Sequence, residues 1–144
     1  FKKILVPTDG SDVGLKAART AAELAKGQGA QVIGVYVIDP FPYIGIGDAS
    51  AVGLQAYLTD AKRTAGVALD VVAQACAAEG VPFAGDTIER NLVYEGILET
   101  AKAEGCDLIV MGSHGRQGVK ALILGSVAQK VLTHATVPVL IVKG

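Results

Sequence analysis

The sequence predicts a doubly wound α/β fold, a single domain over residues 1–144 with a five-stranded parallel sheet and helices on both faces. Three observations predict it. Short apolar runs alternate with longer segments of helical periodicity, the runs are apolar at nearly every position, and 144 residues suffice to bury one core. Strands that are apolar throughout are typical of parallel sheets covered on both faces. Right-handed crossovers then restrict the layout to a doubly wound sandwich. Chain order alone does not fix the order of its strands, and we expect 3-2-1-4-5, which would put strand 1 beside strand 4.

The first half of the chain predicts two strands and two helices. In order, these are a strand at 3–6, a helix at 15–29, a strand at 31–38 and a helix at 56–80. The strands are rich in Ile and Val, and the helices repeat apolar residues at helical spacing. Ser11 or Asp12 can cap the first helix, and Gly27 or Gly29 can end it. The segment 39–53 is rich in Pro and Gly and is predicted to be a long loop.

The second half predicts three further strands and two further helices. In order, these are a strand at 81–90, a helix at 94–105, a strand at 107–112, a helix at 126–135 and a strand at 137–143. The strand at 81–90 is less apolar than the others, which favours an edge of the sheet. The final strand is short and apolar, and unprotected edges invite pairing. We therefore expect a homodimer through strand 137–142, with protection of the edge by Pro138 and Lys143 as the alternative.

The composition argues against several function classes. Thirteen basic residues against fourteen acidic ones give a net charge of −1, which gives no electrostatic support for binding nucleic acid or an anionic membrane. No apolar run reaches the roughly 18 residues of a membrane span, so no membrane insertion is expected. The first residues leave no room for a signal peptide, so we expect a cytoplasmic protein. Cys76 and Cys106 lack metal-binding spacing and are interpreted as reduced, half-buried thiols.

Two glycine clusters flank the segment between the fourth strand and the last helix. Gly112 and Gly115 follow the apolar run, and Gly125-Ser126 precedes the helix. Glycine permits positive φ and close approach of the backbone to a ligand. The first N–H groups of a helix lack intrahelical partners and favour an anion. In the expected strand order both clusters lie near the reversal point, where such sheets bind ligands. We predict that their amides face a common polyphosphate; from spacing alone, ordinary turns remain the alternative.

Four segments resemble the nucleotide-binding type of the universal stress protein family. These are "KKILVPTDGS", "DLIVMGSHG", "LGSVAQKVL" and "VPVLIVK", which occur in the family's order and span the chain. The family's ATP-binding signature G-x2-G-x9-G-[ST] is matched by Gly112, Gly115, Gly125 and Ser126. The sequence is not a P-loop, because no Gly-Lys-Ser/Thr follows at the required offset.

The resemblance implies an adenine nucleotide as ligand, with ATP expected and AMP or ADP, with or without Mg²⁺, as alternatives. It implies that Asp9 holds the ribose hydroxyls and that Val37 contacts the adenine. The other implied contacts are Pro7 and Thr8 beside Asp9, Met111 under the nucleotide, and Gly112, Gly115, Gly125, Ser126 and Val127 along the phosphates. A carboxylate can accept hydrogen bonds from both ribose hydroxyls; capping of the first helix is the alternative role for Asp9. Arg116, with Lys120 and His114, can neutralise phosphate charge, and plain solvent exposure is the alternative.

No catalytic constellation stands out in the sequence. The leading hypothesis is a regulatory binding protein, in which ATP orders segment 113–124 and a partner protein or second subunit recognises the result. The resemblance implies a role in stress response, frequent dimerisation and slow or absent hydrolysis. The alternatives are a slow ATPase or phosphotransferase, an AMP- or flavin-binding relative, and a response regulator phosphorylated on Asp9.

Overall fold

The computed structural model describes residues 1–40, 51–115 and 124–144. The strands are β1 (Lys3–Pro7), β2 (Gln31–Ile38), β3 (Phe83–Glu89), β4 (Leu108–Gly112) and β5 (Val139–Val142), and the helices are α1 (Asp12–Gln28), α2 (Ala51–Ala78), α3 (Val93–Ala103) and α4 (Ser126–His134). All five strands are parallel, in the order β3-β2-β1-β4-β5. The predicted fold class and strand order are therefore confirmed.

Successive residues of the central strands enter two separate cores. In β1, Ile4 and Val6 pack into the core beneath α1 and α2, and Leu5 packs into the core beneath α3 and α4. In β4, Leu108 and Val110 face the first of these cores while Ile109 faces the second. Side chains of a strand alternate between the two faces of the sheet. This is why the central strands are apolar at every position.

Helix α1 lies close to the sheet because its buried face is made of small residues. The fully buried positions include Ala17, Ala18, Ala21, Ala22 and Ala25. Ser11 is the N-cap, with its hydroxyl accepting a hydrogen bond from the Gly14 N–H at 3.2 Å. At the other end Gly29 adopts a left-handed φ of 65° and its N–H donates to the Ala25 carbonyl. Of the predicted alternatives, Ser11 and Gly29 are the residues that bound the helix.

Two sequence predictions need correction. Helix α2 begins at Ala51, five residues before the predicted start, so the end of the predicted 39–53 loop is helical; residues 41–50 lie outside the described residues. The cysteines are fully buried rather than half-buried, with Cys76 at 0% and Cys106 at 5% exposure. Burial raises the pKa of each thiol to about 11, so both stay protonated near neutral pH.

Among the described helices, none is both long and apolar enough to cross a membrane.

The amino ends of β1 and β4 are joined by one carboxylate. Asp107 Oδ2 accepts the Lys2 N–H at 2.9 Å, and Oδ1 accepts the Lys3 N–H at 3.2 Å. These bonds favour the ionised form of Asp107 and so hold its pKa below the usual value. The bond from the Lys2 N–H has the largest effect. They fix the two strands side by side at the start of the sheet.

The first prediction concerns Gly34 in the middle of β2. A Cβ at this position would lie 2.9 Å from Cε1 of Phe83 and 3.1 Å from Cδ2 of Leu69. We expect Gly34→Ala to lower the free energy of unfolding by about 1–3 kcal/mol through overpacking, measured by urea denaturation. The matched control is Gly66→Ala in α2, where a Cβ would meet nothing within 4 Å. It is expected to stabilise the protein by up to about 1 kcal/mol through helix propensity. Equal effects would contradict the packing explanation.

The second prediction concerns Asp107. Its pKa is depressed in the folded state, so it stabilises the protein at pH values above its unfolded pKa of about 3.9. That contribution is lost as the pH falls through the folded pKa. We expect Asp107→Asn to lower the free energy of unfolding at pH 7, with the gap to wild type closing below about pH 4. Asp86→Asn, on the edge strand β3, is the control. A gap that stays constant from pH 7 to pH 3 would contradict the prediction.

Candidate functional site

A cavity of about 530 Å³ opens beyond the carboxyl ends of β1 and β4. The register between these strands ends at Leu5↔Ile109. Beyond that point β1 continues beside β2 as far as Pro7, and β4 continues beside β5 as far as Gly112. The strand order reverses here, so the connections leave to opposite sides and a crevice forms between them.

Nearly all of the sequence-predicted site residues line this one cavity. They are Pro7, Thr8, Asp9, Val37, Met111, Gly112, Gly115, Gly125, Ser126 and Val127. Arg116 and Lys120 lie outside the described residues. His114 also lines the cavity, between the two glycines of the first cluster. The fold thus brings together residues that are up to 120 positions apart in the chain, from Pro7 to Val127.

A hydrogen bond between Gly125 and Ser113 joins the two ends of the segment 114–124. The Gly125 N–H donates to the Ser113 carbonyl, and the Ser113 N–H donates to the Val142 carbonyl at 2.9 Å. The amide of Gly125 is therefore engaged within the protein and is not one of the ligand-facing donors, which corrects the expectation for this residue. The first bond of α4 runs from the Gln129 N–H to the Gly125 carbonyl at 3.0 Å. The N–H groups of the preceding turn, beginning with Ser126, have no intrahelical acceptor.

The glycines of the signature are needed because a side chain at these positions would collide with neighbouring atoms. None of them has the positive φ that the sequence suggested. Among the described residues, positive φ occurs only at Gly10, Gly29, Gly80 and Gly105. A Cβ on Gly112 would lie 2.6 Å from Cγ1 of Val13, and one on Gly115 would lie 2.2 Å from Oδ2 of Asp9. A Cβ on Gly125 would lie 3.1 Å from both the Ser113 oxygen and the His114 Cα. Each glycine allows one close approach that a side chain would prevent.

Asp9 lies in the turn between β1 and α1, with its carboxylate beside Gly115. Its Oδ1 atom accepts the Ser11 N–H at 3.0 Å, and its Oδ2 atom is the neighbour of Gly115. Because Ser11 caps α1, Asp9 is not the helix cap that was the alternative for it. The carboxylate therefore lies at the cavity wall, between the turn after β1 and the turn after β4.

One end of the cavity is apolar, and part of that wall was not predicted. Val35 and Val37 come from β2, Met111 from β4, and Val93 and Ile97 from α3. Val93 and Ile97 are four residues apart and so lie on one face of the helix. Their spacing identifies a buried face, but it does not tell a core contact from a cavity wall. Ser11, Gly14, Tyr36 and Ala128 also line the cavity and were likewise not predicted.

A second cavity of about 370 Å³ lies between α1 and α2. It shares Thr8, Ser11 and Gly14 with the first cavity but contains neither glycine cluster. In the part of the chain that the structure describes, no group of three or more His, Cys, Asp or Glu side chains could hold a metal ion. The first cavity is therefore the candidate site. Its donors are main-chain amides and hydroxyls, and the Asp9 carboxylate is an acceptor.

Comparison with known proteins agrees with the fold and its motifs. Universal stress protein MJ0531 of Methanocaldococcus jannaschii is 39% identical over 144 residues, which cover 99% of this chain and 82% of that protein. The solved structure of the hypothetical protein MJ0577 from the same organism matches with a TM-score of 0.87 at 27% identity, over 100% of this chain and 96% of that one. A universal stress protein from Archaeoglobus fulgidus, solved in complex with dAMP, matches with a TM-score of 0.67 at 25% identity, over 99% and 98% of the two chains.

The sequence profile of the universal stress protein family matches residues 1–143. The match covers all five strands and all four helices of the described structure. It agrees with the resemblance carried by the glycine signature and by the four segments of the sequence that match the family's pattern. The chain belongs to the universal stress protein family.

Proposed function

We propose that this protein binds an adenine nucleotide, with ATP the expected ligand, in the cavity beyond β1 and β4. The observation that carries the proposal is the meeting of both glycine clusters with Asp9 around one cavity. A similar protein of the family has been solved in complex with dAMP, which supports an adenine nucleotide as the ligand class. The cavity volume of about 530 Å³ lies in the range typical of small-molecule sites.

In this proposal the phosphates bind at the N-terminus of α4. The first-turn amides lack intrahelical partners, and the helix dipole stabilises an anion there by about 0.3–1 kcal/mol. The Ser126 hydroxyl is a further donor, His114 lines the cavity, and Arg116, which follows Gly115 in the sequence, can neutralise phosphate charge. A Mg²⁺ ion, if bound, would be held by phosphate oxygens and water rather than by a cluster of carboxylates.

The sugar and base occupy the other end of the cavity. The Asp9 carboxylate accepts hydrogen bonds from the ribose hydroxyls, since an ionised carboxyl has two acceptor oxygens. The base lies against the apolar wall that contains Val37, Val93 and Ile97. Small aliphatic side chains suit the face of a purine, because they bury it without unpaired polar groups.

The regulatory part of the proposal has two components. Binding of the nucleotide orders the segment 113–124, which runs between the two glycine clusters, and a partner protein recognises the ordered form. A homodimer forms through β5, which among the described strands lies at the edge of the sheet, beside β4. Leu140 in this strand is 38% exposed, and pairing of two such edges would cover it.

The third prediction tests the nucleotide site through Gly115. In Gly115→Ala the new Cβ displaces the Asp9 carboxylate, which is the mobile end of its side chain, so the fold is preserved while the ribose contact is lost. We expect about a tenfold or greater loss of ATP affinity, as befits one charge-assisted hydrogen bond, measured by isothermal titration calorimetry. Gly66→Ala is the control, because its Cβ meets no neighbour, and it should bind ATP as the wild type does.

The same preparation distinguishes binding from catalysis. Mass spectrometry of the nucleotide released from freshly purified protein identifies the ligand, and chromatography of an ATP incubation follows turnover. Failure of the wild type to bind any adenine nucleotide at millimolar concentration would contradict the proposed function. Steady multiple turnover that is lost in Gly115→Ala would instead identify a slow ATPase or phosphotransferase.

The fourth prediction tests the dimer. We expect the wild type to be a dimer at micromolar concentration by light scattering, and Leu140→Lys to be a monomer, because a charged residue on an edge strand opposes pairing. Leu92→Lys is the control, since Leu92 has a similar exposure of 46% but lies at the start of α3. A monomeric wild type, or equal dissociation by both variants, would contradict pairing through β5.

A further inference from the structure

We propose that Gly96, which does not line the cavity, is a positioning residue for the base of the bound nucleotide. This inference rests on the proposed function and concerns the apolar end of the same site. It is carried by the close approach of α3 to β2, a contact that neither the glycine signature nor the β1–α1 turn includes.

Gly96 is the point at which α3 touches the strand that carries Val37. A Cβ on this buried glycine would lie 2.9 Å from Cγ1 and 3.0 Å from Cγ2 of Val37, and 3.1 Å from Cδ1 of Ile88. These distances are shorter than ordinary van der Waals contacts of about 3.5–4.0 Å between carbon atoms. The helix backbone therefore rests directly on the two γ-methyl groups of Val37.

Residues on either side of Gly96 in α3 line the apolar end of the cavity together with Val37 of β2. Val93 and Ile97 both line the cavity, and they precede and follow Gly96 on one face of α3. The Gly96 carbonyl accepts the Thr100 hydroxyl at 2.8 Å, and the Thr100 side chain is buried. This bond links the glycine to the next turn of the same helix that carries Val93 and Ile97.

The absence of a side chain at Gly96 thus sets the width of the apolar end. A methyl group there must either push Val37 toward the cavity or lift α3 together with Val93 and Ile97. Both movements alter the space in which the base lies. The phosphate end is carried by β4 and α4. The three atoms nearest to a Cβ on Gly96 belong instead to Val37 of β2 and Ile88 of β3. The first contact of a new methyl group is therefore at the end of the cavity where the base lies.

The fifth prediction uses two ligands and a double-mutant cycle. We expect Gly96→Ala to weaken ATP binding by about tenfold, the usual scale of overpacking by one methyl group, and to leave the affinity for inorganic tripolyphosphate within about twofold of wild type. Val37→Ala removes the two methyl groups nearest to the new Cβ and leaves Cδ1 of Ile88 as its remaining close neighbour. The double variant V37A/G96A should therefore bind ATP as V37A does, within about twofold. Gly66→Ala, with no neighbour for its Cβ, should match wild type with both ligands. All affinities are measured by isothermal titration calorimetry.

The outcomes separate this inference from the proposed function. ATP affinity unchanged in G96A, an equal loss for ATP and tripolyphosphate, or the same loss in the V37A background would each overturn the role of Gly96. If tripolyphosphate binds too weakly to measure, the ATP affinities decide: a loss in G96A that is absent in the V37A background upholds the inference, and a tenfold gap between V37A and V37A/G96A overturns it. If G96A alone does not fold, a V37A/G96A variant that folds and binds ATP as V37A does upholds the inference, and one that fails to fold or binds tenfold more weakly overturns it. A wild type that binds tripolyphosphate but no adenine nucleotide would instead reject the proposed function.

Discussion

The side-by-side pairing of β1 and β4 is the constraint on which the rest of the structure depends. At the amino ends the Asp107 carboxylate holds the two strands together through main-chain amides. Their mutual register ends at Leu5↔Ile109, after which each strand stays with its other neighbour. The strands are thus fixed at one end and separate at the other. The cavity, the Asp9 turn and both glycine clusters all lie at the open end, so the position of the site follows from the reversal of the strand order.

Close packing rather than unusual backbone conformation accounts for the glycines around the cavity. At Gly112 the missing side chain leaves room for Val13 of α1, and at Gly115 it leaves room for the Asp9 carboxylate. At Gly125 it lets the chain come back close enough to Ser113 for the Gly125 N–H to donate to the Ser113 carbonyl. Protein interiors are packed as densely as organic crystals, so a single methyl group changes which backbone segments can touch. The glycine signature therefore serves two purposes at once. It places main-chain groups at the cavity wall, and it lets three separate segments converge tightly enough to form that wall.

Much of the fold and part of the site could be predicted because the relevant signals are local. Alternation of apolar runs with helical periodicity predicted the elements and their order, and the structure confirms the parallel sheet with β3 at an edge. The turn after β1 and the glycine clusters were predicted to lie together, and they line one cavity. Their binding of a nucleotide stays a prediction. The start of α2 was missed by five residues, since the residues 51–53 include a glycine and continue a stretch rich in loop-forming residues.

By itself the sequence determined the fold class and the family and predicted which residues would surround the candidate site, because periodicity, strand composition and motif spacing are all properties of short stretches of chain. Only the tertiary structure decided which face of α3 lines the cavity, why Gly112, Gly115 and Gly125 are glycines, and that the Gly125 amide is engaged with Ser113. These features depend on distances between segments far apart in the chain. Such distances are fixed only when two buried faces of the sheet and four helices pack around one another, and no local pattern encodes them.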